Sequence, residues 1–101
     1  MPVKDSGAGE RVSSGSATLY TGSGRVIGIM VSHAEATTQT VTIYDNTVAS
    51  GTILAVIHVH PYTSPVYIRF GETRELWPYF ATGLTVDAGA HCDVNVWWLG
   101  Y

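Results

Sequence analysis

From Ala17 to Trp97 apolar side chains recur at every second residue between Gly, Asn, Asp and Pro, and no window carries them at helical spacing. Residues two apart on a strand share a face, so this period commits the chain to sheets with one face turned inward. The stretch 38–44 shows it most clearly, with Val41 and Ile43 on one face and Thr40, Thr42 and Tyr44 on the other. Residues 17–20, 25–32, 52–60, 66–70, 84–86 and 92–97 extend the pattern, and 25–32 is apolar enough to be largely buried. Gly22 and Gly24 permit a tight turn after Tyr20, and Asp45 and Asn46 begin another. Pro61 and Pro65 bracket a loop, because neither donates to a sheet ladder. Pro78 argues against a central strand in the aromatic run 76–80, and 87–90 reads as the turn of a final hairpin. No helix beyond a single turn is expected. These elements predict an all-β fold, a β-sandwich or jelly roll of about seven or eight short antiparallel strands, in an order that periodicity leaves open.

A chain of 101 residues makes one domain. Residues 1–16 are mostly Gly, Ser, Ala and isolated charges, and read as an extended N-terminal arm, flexible or ordered by a partner; 17–101 form the sandwich. Val3 and Val12 are the arm's sizeable apolar side chains, and the expected points of grip on a neighbour. Only 13% of the residues are charged. An average soluble domain has about a quarter, so the surface is short of charge and a partner is expected to cover part of it. The net charge of −3, with five scattered Lys and Arg, offers no basic stripe, and nucleic acid is not an expected partner. The apolar run 53–59 is interrupted by His58 and falls far short of the roughly 20 residues of a membrane span. The first residues lack the apolar core of a secretory signal, which points to synthesis in the cytoplasm. A lone Cys92 forms no internal disulfide.

His58 and His60 are the residues that invite a metal, since side chains two apart on a strand present two imidazoles to one ion. A third ligand would come from His33, His91, Glu72 or Asp93. A cupin-like barrel uses such a pair, but with a Glu a few residues on; here 61–65 intervene and Glu72 is the first downstream carboxylate. Surface or interface histidines are the preferred reading, with no metal and no cofactor. There is no G-x-S-x-G elbow, and the carboxylates show no paired spacing for acid and base roles, so catalysis is not expected.

The aromatic residues carry more information. Trp77, Tyr79 and Phe80 form one cluster, and Trp97, Trp98 and Tyr101 another. Adjacent residues on a strand face opposite ways, so one of Trp97 and Trp98 enters the core and the other faces outward. Outward aromatics are enriched at binding hot spots, which makes Trp77, Tyr79, Trp97, Trp98 and Tyr101, with Val3 and Val12, the candidate interface residues.

The run 41–52, with its Tyr44-Asp45-Asn46-Thr47 and Ser50-Gly51-Thr52 turn, resembles small β proteins of phage particles, as do Gly24-Arg25-Val26-Ile27-Gly28-Ile29, Thr82-Gly83-Leu84 and Asp93-Val94-Asn95-Val96. The resemblance spans about residues 18–99. It implies a virion component, such as a head decoration or cement protein or another capsid or tail accessory, often a β-sandwich homotrimer. From it follow the expectations of a structural protein that self-associates, binds the major capsid or another virion protein, and is assembled in the host cytoplasm into the virion. A rival expectation is a carbohydrate- or receptor-binding module of a tail or fibre, with Trp77, Tyr79 and Trp98 as a stacking platform for a glycan. A third is a cupin-like metal-binding protein.

Overall fold

The computed structural model describes residues 10–13, 15–90 and 92–101. These described residues form nine strands: β1 (Glu10–Ser13), β2 (Ser16–Thr21), β3 (Gly24–His33), β4 (Gln39–Asp45), β5 (Thr52–Val59), β6 (Thr63–Arg69), β7 (Tyr79–Phe80), β8 (Gly83–Asp87) and β9 (Cys92–Gly100). A single 3₁₀ turn at Arg74–Leu76 is the helical element among the described residues. Sheet A has the order β1-β9-β3-β6, with the short β7 also on β3; sheet B has the order β2-β8-β4-β5. All pairings are antiparallel.

The order has a simple logic. β4 pairs with β5, β3 with β6, β2 with β8 and β1 with β9, so the chain is one long hairpin whose successive pairs fall alternately into the two sheets. A ribbon rolled in this way is a jelly roll. It corrects the expected hairpin at 87–90: β8 lies in sheet B and β9 in sheet A, and the turn between them crosses from one layer to the other. Each strand already has a mirror partner, β2 for β8 and β1 for β9, so β8 and β9 do not need each other.

Alternation decides the core. Val26, Ile29 and Val31 of β3 and Val94, Val96 and Trp98 of β9 point inward from sheet A, and meet Val41 and Ile43 of β4 and Leu84 and Val86 of β8. Residues 10–13, expected to belong to an N-terminal arm that is flexible or ordered by a partner, are an edge strand of sheet A, and Val12 is buried in the chain's own core. The bracket expected between Pro61 and Pro65 is shorter than it looked. β6 starts at Thr63 and includes Pro65, which an edge strand tolerates because one side of its ladder is open.

Asp45, at the end of β4, holds the place where the chain passes from β7 in sheet A to β8 in sheet B. Its carboxylate accepts hydrogen bonds from the backbone N–H groups of Ala81 at 3.0 Å, Thr82 at 2.9 Å and Gly83 at 3.4 Å. The following residues fold back over β8, where the Thr85 hydroxyl donates to the Asn46 carbonyl at 2.8 Å and that of Thr18 to the Thr47 carbonyl at 2.8 Å. Burial raises the Asp45 pKa, but the backbone N–H bonds from Thr82, Ala81 and Gly83 together outweigh it and hold the carboxyl below its ordinary value. A folded-state pKa lowered in this way contributes stability that is present above the unfolded value and disappears as pH falls through the folded one. Replacing Asp45 with Ala is expected to destabilise the chain by about 1.5–3 kcal/mol at neutral pH, and to flatten the acid side of its stability profile, measured by urea unfolding at a series of pH values.

Candidate binding surface

The outer face of sheet A has a hollow in it. Gly28 sits on that face, opposite Trp97 of β9 on one side and Arg69 of β6 on the other. With no side chain there, Tyr67 lies down into the space: a Cβ on Gly28 would come within 2.5 Å of the Tyr67 hydroxyl and 2.8 Å of the Ile68 carbonyl oxygen. The Tyr67 ring meets the Trp97 indole edge to face, with centroids 5.5 Å apart and planes at 82°. Ile27, at the β3 bulge between Val26 and Gly28, and Met30 complete the lining. The open hollow has a volume of about 430 Å³, within the range of small-molecule and side-chain pockets. Its walls are largely apolar, and Arg69 of β6 is paired with Gly28 beside it. Arg69 is fastened by its Nε to the Gly71 carbonyl at 3.0 Å, and farther along β9 Arg11 donates to Asp93 at 2.9 Å. The Arg11 and Ser13 hydrogen bonds keep the Asp93 carboxyl ionised below its ordinary pKa.

The residues singled out in the sequence fall in four places. Trp97 faces outward and lines the hollow, while Trp98 points into the core at 4% exposure, its indole N–H without a partner among the described residues. Trp77 and Tyr79 lie near the start of β3: Arg25 donates to the Trp77 carbonyl at 2.9 Å and stacks 5.4 Å from the Tyr79 ring centre, and the Trp77 indole donates to Gly71. Tyr101 closes the chain end, its carbonyl accepting from the Tyr20 hydroxyl at 2.9 Å and its N–H bonding to Ser23. Val12 is core, and Val3 lies outside the described residues. A stacking platform of Trp77, Tyr79 and Trp98 is therefore not assembled, because the Trp98 ring is inside.

Sequence reasoning missed Ile27, Gly28, Met30 and Tyr67. The available signal was that 25–32 is apolar on both faces, which is what an outward sticky surface on a central strand looks like. His58 and His60 are both exposed on the solvent side of β5 and just beyond its end, whereas the inward positions of that strand are Leu54, Ala55, Ile57 and Val59. Their imidazoles thus point away from the space where a cupin holds its metal. Of the third ligands considered, His33 is buried at the end of β3, and His91 lies outside the described residues. Among the described residues no group of three His, Cys, Asp or Glu side chains is placed to hold a metal ion. No family model, curated protein or solved structure matches the chain.

The two neighbouring indoles should separate cleanly on mutation. Trp98→Ala is expected to lower stability by about 3–5 kcal/mol, and Trp97→Ala by only about 1 kcal/mol; urea unfolding of both variants measures the difference. Gly28→Val should leave the hollow filled and displace Tyr67, read as loss of binding of an apolar fluorescent dye.

Proposed function

We propose that this chain is a non-catalytic structural subunit of a virus particle, and that it attaches to a neighbouring virion protein through the hollow around Trp97. The observation that carries the reading is a preformed apolar hollow, with an indole and a phenol in its wall, on the solvent face of an otherwise water-facing sheet. Such surfaces on small domains serve as binding hot spots, where one apolar or aromatic side chain of a partner is received and water is excluded. The virion context rests on the resemblance of the 41–52 and 82–84 segments to phage structural proteins. The jelly roll accords with it without selecting it, since viral capsid domains, lectins and cupins share that architecture.

A glycan-binding role is the second reading, favoured by the Trp97 and Tyr67 rings with Arg69 close by; a sugar ring would pack on the indole while its hydroxyls met the rim. The two readings part experimentally. Immunogold labelling of purified particles from the source of the sequence, with antibody to this chain, is expected to mark their surface. Trp97→Ala chain should fail to rebind particles stripped of the native protein. Particles without label would overturn the virion reading, and saturable binding on a glycan array, lost in Trp97→Ala, would establish the other.

A further inference from the structure

A sandwich of two open sheets has four edge strands, and an unprotected edge is a template for a further strand. Three of the four here are blunted. In sheet A, β1 has four described residues and presents Arg11, while β6 contains Pro65, a register break at Val31 and His33, and the charged Arg69. In sheet B, β2 is broken by a bulge between Thr18 and Tyr20, and the residues after β4 are bonded to it through Thr18. β5 shares only one of these devices, a register shift close to its start. Its eight residues include no proline and no charge, and Thr52, Ile53, Val56, Ile57 and Val59 are all β-branched. Its one register shift lies near its start, so that 55–59 run evenly along β4. Ile53 and Val56 are 52% and 48% exposed.

Charge indicates which partner fits. From Asn46 to Ile68 the sequence has no Asp, Glu, Lys or Arg, so the charges behind the net −3 all lie elsewhere. Two copies of this chain carry the same net charge and repel one another least where the surfaces that meet are uncharged. The β5 edge is such a surface, and it is uncharged along its whole length. We infer that β5 is an interface between two copies of this chain, paired antiparallel about a two-fold axis so that their B sheets join into one. A strand that pairs antiparallel with its own copy uses the same edge on both sides and closes the assembly at two. A homotrimer closed by edge pairing through β5 would need β5 to seat on β1, β2 or β6, each of which is blunted. The interface is independent of the Trp97 hollow, which lies on the other sheet.

Light scattering coupled to size-exclusion chromatography of the full chain is expected to give twice the mass of one chain, falling to the single-chain mass on dilution. Val56→Lys places on β5 the charge that natural edges use for protection, and should abolish the larger species, whereas Trp97→Ala should leave it intact. Hydrogen exchange of the unaltered chain adds a reading that no variant's folding can confound. Amides of 52–59 should slow as concentration rises, and those of 63–69 should not. A monomer at every concentration, a trimer, or a dimer whose β5 amides exchange at one rate throughout would each overturn the inference. So would a dimer that survives in folded Val56→Lys. Because Trp97→Ala separates the two surfaces, failure here leaves the virion reading standing, and failure of particle binding leaves this one.

Discussion

A backbone that leaves one sheet to enter the other must still satisfy its N–H and C=O groups, and in this chain the crossings do it for one another. Gly15, between β1 and β2, exchanges hydrogen bonds with the β8–β9 crossing, donating to Gly89 at 2.7 Å and accepting from Ala88 at 2.8 Å. Gly22, between β2 and β3, donates to Thr82, between β7 and β8, at 2.9 Å. Tyr62, between β5 and β6, donates to Glu35, between β3 and β4, at 3.1 Å. Every passage between layers is thus tied to its mirror passage, as the pairing of a rolled hairpin requires. Gly15 and Gly89 both take positive φ, 71° and 74°, a conformation in which a side chain is strained. Asp45 strengthens the middle of this scheme by adding a carboxylate where the Gly22–Thr82 tie alone would hold the crossing.

The same roll creates the surface assigned a binding role. β3 and β9 are the long central strands of sheet A, and their bulge between Val26 and Gly28 sets Gly28 opposite Trp97. With no side chain on Gly28, Tyr67 from the neighbouring β6 fills the space above it, and its ring with Trp97, Ile27 and Met30 forms the wall of the hollow. The hollow is thus built on three neighbouring strands of one sheet, β6, β3 and β9. Trp98, one residue further along, spends its ring on the core, so the Trp-Trp pair contributes to opposite sides of one sheet, core and outer hollow.

Much of this was readable before any coordinates. The alternation in 38–44 placed Val41 and Ile43 inward correctly, and both are essentially inaccessible. The opposed facing of Trp97 and Trp98 followed from adjacency alone. Other parts were hidden for physical reasons. Residues 10–13 are poor in apolar side chains, and they form a strand because β9 offers them an open edge and Val12 a place in the core. The 87–90 turn has the composition of a hairpin, and nothing local distinguishes a turn within one sheet from a turn between two. Gly28 was legible as a glycine but not as a void, since a void exists only where neighbouring strands supply the walls.

The period of two, the spacing of Gly and Pro and the lack of charge from Asn46 to Ile68 were set by the sequence, because a strand's faces and the repulsion between surfaces depend on residue order alone. The tertiary structure alone decided which strands meet. Alternation says which side chains share a face, but many registers and partners satisfy it equally. The choice among them came from closing the crossings in pairs, and with that choice came the exposed edge of β5 and the hollow among Ile27, Met30, Tyr67 and Trp97.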